Sequence, residues 1–200
     1  LKNRSLFLHI GITLYETFIS FILVILLSIL AAILLWYSKK LSEILEPYLV
    51  VLNSLPKSAL APLLIVWLGA TSKTIIIAGM SVAIFGSILN LYTAFINVDQ
   101  EKIKLIYTLH ETAGMRLQSC TAFLCSGNHS NMKVNIGLCL VGVIIGEFLA
   151  AKSGLGYLII YSSQVFKMDW LLMSIILLCI MAMGLYALIN VVEKRVLKKY

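Results

Sequence analysis

Cys120 and Cys125, with His110 and His129 nearby, are the sequence's closest grouping of soft metal-ligand types. The two cysteines are spaced more loosely than in a zinc knuckle, so no metal site is expected. Cys139 and Cys179 lie inside apolar runs, where a thiol packs as a small hydrophobe. His9, His110 and His129 have no carboxylate at a helical spacing on the same predicted crossing. No Ser/His/Asp or HExxH pattern appears either, so neither nucleophilic nor metal-assisted catalysis is expected, and no cofactor. The run Gly69-Ala70-Thr71-Ser72-Lys73-Thr74 comes nearest to a phosphate loop but lacks the spacing that lets backbone N–H groups cradle phosphate. Any nucleotide hydrolysis belongs to another polypeptide.

The remaining candidates are polar groups among apolar ones. Glu147 is the one carboxylate well inside a predicted crossing. Holding its charge in lipid costs at least about 2.5 kcal/mol, so it must face protein, water or the outer interface. Two readings stay open: Glu147 borders a path or gate, or it lies near the helix end and meets headgroup water. Lys57, beside Pro56, either meets a passing solute or snorkels to the surface. Pro56, Lys57, Pro62, Asn90 and Glu147 are the candidate pathway or gate residues. Gly142 and Gly146 have the small-xxx-small spacing that lets helices pack closely. Ser153-Gly154-Leu155-Gly156 reads as a turn before an interfacial helix, with Gly154 and Gly156 as its turn residues.

The elements that position these groups follow from composition. Of 200 residues, 60% are hydrophobic and 12% are charged, against about 25% charged in a soluble domain. Too little polar surface exists to cover a water-soluble globule, so the solvent for this chain is the lipid bilayer. The net charge of +7 sits at the ends of apolar runs rather than in a patch with aromatics, which excludes nucleic acid as a partner.

A helix needs about 20 apolar residues to cross the hydrocarbon. Five crossings are expected, in one membrane domain spanning residues 1–200. The first runs from Ile10 to Tyr37, too long for a signal peptide and without a cleavage site. The second is bent or partly interfacial, because Pro56 and Pro62 interrupt it before it ends near Trp67. The others are Ile75 to Ile96, Val134 to Ala151 and Trp170 to Val192. Basic residues concentrate in Ser38 to Glu43, Asn97 to Lys133 and the tail after Val192, which puts those stretches in the cytoplasm. The amino terminus then starts outside, which suggests a further helix upstream.

Two blocks carry a family resemblance. Gly137 to Phe148 leads into Ala151-Lys152-Ser153-Gly154-Leu155-Gly156-Tyr157-Leu158-Ile159, which resembles the end of the permease domain of binding-protein-dependent ABC importers. Leu55-Pro56-Lys57-Ser58-Ala59-Leu60-Ala61-Pro62-Leu63, followed by Trp67-Leu68-Gly69, is similar to the proline-rich helix of the branch handling nitrate, sulfonates, taurine and thiamine-pyrimidine precursors. Asn90, Tyr92 and Val98-Asp99 also fall where that branch has comparable residues.

The resemblance implies an all-α, MetI-like permease fold lacking its first helix, in a multi-pass protein of the bacterial plasma membrane. It also implies a second permease copy, ABC ATPase subunits and an extracytoplasmic substrate-binding protein as partners. A cytoplasmic loop, here within residues 97–133, would dock on the ATPase and transmit its closure as a two-state motion.

That loop departs from the family pattern. Glu111, Thr112, Ala113 and Gly114 resemble the Glu-Ala-Ala…Gly motif only in part, and Leu117 to Asn131 contain no proline. One hypothesis is a segment translated out of frame. With chosen codons, Cys125 to Asn131 read one base later gives Val-Pro-Ala-Ile-Ile-Pro, close to the family's proline stretch. Resequencing tests this, and an in-frame gene without insertions or deletions removes it. The alternatives to an importer subunit are a non-functional permease remnant and a membrane scaffold without transport activity.

Overall fold

The computed structural model describes residues 3–96 and 129–197, with side chains described for 6–96, 132–192 and 194–195. Among these are seven helices: α1 (Asn3–Tyr37), α2 (Lys39–Ser54), α3 (Lys57–Leu68), α4 (Ser72–Ile96), α5 (His129–Ala150), α6 (Leu155–Gln164) and α7 (Met168–Leu197). Four are long and apolar enough to cross a membrane: Leu6–Tyr37, Ser72–Ile96, Met132–Ala150 and Met168–Val192. The bent pair Lys39–Ser54 and Lys57–Leu68 makes up to a fifth, with 94° between its halves. Four of the five expected crossings thus have a helix long and apolar enough to span, and the second falls on the bent pair.

The bend has a local cause. Leu55 adopts φ −62°, ψ 142°, the extended conformation favoured at a residue that precedes proline. Pro56 then starts α3 without an N–H to offer the preceding turn. The expectation that Pro62 also interrupts the chain is corrected, because Pro62 lies inside α3, as Pro47 lies inside α2. Each ring forfeits one helical hydrogen bond on an exposed face, and the helix continues past it.

The Gly69–Thr74 run closes the α3–α4 turn. Gly69, at φ +78°, donates its N–H to the Ile65 carbonyl (2.8 Å), ending α3. The Thr71 hydroxyl accepts from the Thr74 N–H (3.4 Å), and the Thr74 hydroxyl donates to the Gly69 carbonyl (2.6 Å). These hydroxyls cap helices rather than cradle phosphate.

α4 is the central helix, packed mainly against α1 and α5, while α6 bridges α5 and α7. The buried face of α1 carries Thr13, Glu16, Thr17, Ser20, Val24, Ser28 and Ala32, a helical stripe that is mostly polar. Its exposed face carries Ile22, Leu26, Leu30 and Leu34. A soluble protein would show the reverse. In a bilayer the outward leucines meet lipid, and small polar residues join helices through close packing and hydrogen bonds. Ser20 does this directly, its hydroxyl lying 2.8 Å from the Glu16 carbonyl and 3.0 Å from the Ile76 carbonyl of α4.

Gly142 sets the α4–α5 approach. A Cβ there would sit 2.8 Å from the Gly79 Cα and 2.9 Å from the Ala78 carbonyl, which are rigid backbone atoms. Gly142→Ala must therefore push α4 and α5 apart. A loss of about 1–3 kcal/mol is expected, read as a lower unfolding midpoint in detergent. Gly137→Ala is the control. Its Cβ would meet nothing within 4 Å, so the midpoint should hold or rise slightly with helix propensity. Equal midpoints for the two variants would contradict the packing role of Gly142.

Candidate functional site

Glu147 is fully buried, which overturns the reading in which it meets headgroup water at a helix end. The Thr13 hydroxyl of α1 donates to its Oε1 (2.7 Å), and the Gly156 N–H donates to its Oε2 (2.6 Å). The Leu155 N–H donates to the Thr13 Oγ1 (2.9 Å), and the Gly154 N–H to the His9 Nδ1 (2.9 Å). That acceptor role fixes the His9 tautomer with its hydrogen on Nε2. The His9 ring also stacks on Tyr157, with centroids 6.1 Å apart.

The first N–H groups of any helix lack partners within the helix. In α6 they are taken by side chains of α1 and α5, and the positive end of the α6 dipole points at a carboxyl. The glycines of the Ser153–Gly156 turn permit this. Gly154 has φ +120°, and a Cβ there would fall on the Glu147 carboxyl. At Gly156 a Cβ would lie 2.8 Å from the Glu147 Oε2. The expected turn is thus present, and it wraps a buried acidic group that joins three helices. Gly146 serves α5 packing, with the Ile75 backbone 3.2 Å from where its Cβ would be.

Glu16, near the start of the Ile10–Tyr37 crossing, was not among the candidates read from the sequence. Only 1% exposed, it adjoins the Glu147 carboxyl. Thr13 and His9 were also missed as partners of the turn. The available signal was the Thr13, Glu16, Thr17, Ser20 spacing, which puts four polar groups on one α1 face that must avoid lipid.

The second cluster lies at the α2–α3 break. The half-buried Lys57 ammonium donates to the Asn53 Oδ1 (3.0 Å) and to the Val82 carbonyl of α4 (2.8 Å). Lys57 is therefore pinned inward against α4, so the snorkelling alternative is corrected. Pro56 and Pro62 are exposed, and Asn90 is exposed further along α4. The pathway candidates thus divide between two places: Pro56 and Lys57 at the break, and Glu147 in the carboxyl cluster. The tyrosine of the resembling block, Tyr92, is buried and hydrogen-bonds Ser42 of α2. Glu111, Thr112, Ala113 and Gly114 lie outside the described residues, as does most of the Leu117–Asn131 segment.

If the bent pair spans the bilayer, its break puts polar backbone where protein or water must surround it. Comparison with known proteins bears on that architecture. Residues 24–117 match the family described as the inner membrane component of binding-protein-dependent transport systems. The chain is 26% identical to a probable ABC transporter permease protein of Haemophilus influenzae, covering 89% of this chain and 73% of the relative. It is 24% identical to the putative aliphatic sulfonates transport permease SsuC of Bacillus subtilis, covering 98% and 71%. It is 26% identical to the formylaminopyrimidine transport permease ThiX of Halalkalibacterium halodurans, covering 78% and 63%. In its helical, multi-span architecture and along most of its sequence, the chain is similar to ABC transporter permeases, which are multi-pass proteins of the bacterial inner membrane.

Proposed function

We propose that this chain is the membrane subunit of an importer that passes a small anionic or heterocyclic nutrient inward. ATP hydrolysis on partner subunits drives the cycle, and an extracytoplasmic binding protein delivers the solute. Sulfonates and pyrimidines are the leading classes, since relatives bear names for the transport of aliphatic sulfonates and formylaminopyrimidine.

The observation that carries this reading is the 94° break between α2 and α3, with the Lys57 ammonium held beside it. A cation fixed at membrane depth gives an anion or an electron-rich ring a place to exchange its water for protein. Pro56 holds the break open, and Asn53 orients the ammonium. Pro62 and Asn90 are proposed to line the same side, with Glu147 fixing the outer framework rather than touching the solute.

A second copy is proposed to complete the path. Val66 is 83% exposed and Trp67 77% exposed on α3, a surface that a homodimer or lipid would cover. Glu111, Thr112, Ala113 and Gly114 are proposed as the contact with the ATPase.

Cells lacking the gene should lose accumulation of one of these labelled nutrients and regain it on complementation. Undiminished uptake of every sulfonate and pyrimidine tested would remove the substrate assignment.

A further inference from the structure

Glu16 is the one carboxyl of the buried pair without engaged oxygens. Glu147 has Thr13 on one oxygen and Gly156 on the other. The polar neighbours of Glu16 are Ser72 and Glu147, yet neither of its oxygens accepts a hydrogen bond among the described residues. Its side chain lines a cleft of about 180 Å³, together with Thr71, Ser72, Lys152 and Ser153. A carboxyl buried without a donor is costly, and the cleft is the space from which compensation can come.

We propose that this cleft binds a small monovalent cation, an alkali ion or a primary ammonium group, on the Glu16 carboxylate. Thr71, Ser72 and Ser153 line the same cleft and carry hydroxyls, neutral oxygens of the kind that suits a hard ion or an N–H donor. A divalent ion fits poorly. It needs several charged oxygens, and the Glu147 pair is already committed. Transition metals are excluded by ligand type, since no cluster of three or more His, Cys, Asp or Glu exists among the described residues. The exposed Lys152 adds positive charge to the cleft wall, which further favours single over double charge. Because Glu16 joins α1 to the α4–α5 pair near the α6 turn, an ion there would stabilise the contact among these helices.

The test is thermal unfolding of the purified protein in lipid nanodiscs at constant ionic strength. Choline chloride is replaced stepwise by sodium, potassium or methylammonium chloride. The unfolding midpoint should rise by about 5 °C at saturation with at least one of these. An alkali response identifies a free ion, and a methylammonium response alone identifies an ammonium group. Glu16→Gln should remove the rise. Lys152→Met should lower the half-saturating concentration by about threefold, by taking away a like charge. That second variant carries the test should Glu16→Gln fail to fold. A wild-type midpoint indifferent to cation identity would overturn the proposal, as would an equal rise in Glu16→Gln. So would a midpoint that follows pH and no added cation, which would assign a proton to Glu16 in place of an ion.

Discussion

Glu147→Ala is expected to lower the unfolding midpoint in detergent by about 10 °C. The substitution leaves the buried Gly156 N–H without its acceptor and leaves the Thr13 hydroxyl only the longer bond to the His9 carbonyl (3.2 Å). Each stranded group costs about 1–3 kcal/mol, and the vacated side-chain volume adds to that. For a chain of this length, about 1 kcal/mol corresponds to about 2–4 °C. Glu147→Gln should lose less than half as much, because its amide oxygen still accepts from one of the two donors. The loss should be seen equally with and without any transported solute. An alanine variant within about 1 °C of wild type would mean that water reaches Glu147, and the three-helix junction would be wrong.

Lys57→Met is expected to have the opposite profile. Its ammonium bonds Asn53, which is half-buried, and the Val82 carbonyl inside a continuous helix, so few groups are stranded by its removal. Methionine keeps most of the apolar length of the stem. Membrane levels and the unfolding midpoint should therefore stay close to wild type. Transport should fall by about ten- to a hundredfold, the worth of one charge-assisted hydrogen bond of about 1.5–3 kcal/mol to the solute. Lys57→Arg should recover part of the rate, since it keeps the charge but spreads it over a planar fork. Normal transport in Lys57→Met would reduce Lys57 to a pin that holds the α2–α3 bend against α4.

The two variants also show what could be read from residue order alone. Spans were legible because lipid imposes a length and an apolar composition that few other environments require. The bend at Pro56 was legible too, since proline disfavours the helical conformation at the residue before it, here Leu55. Pro62 obeyed the same local chemistry without breaking α3, because losing one hydrogen bond on an exposed helix face is a cost that packing elsewhere offsets. Gly154 and Gly156 announced a turn. What the turn encloses depends on α1 and α5 arriving together, and no local pattern states that. Glu16 was missed for the same reason, although its polar neighbours one helical turn away, Thr13 and Ser20, marked a protein-facing stripe. Lys57 was recognised as a candidate, but its inward direction is set by Asn53 and by the Val82 carbonyl, 25 residues further along the chain.

Transport itself tests the central claim most directly. The protein would be reconstituted in proteoliposomes with its ATPase subunits, and loaded binding protein would be supplied on the outer side. Accumulation of the labelled nutrient against its gradient should require ATP on the ATPase side and should collapse in Lys57→Met while the assembly stays intact. An intact assembly that hydrolyses ATP but moves no solute delivered by its binding protein would contradict the account.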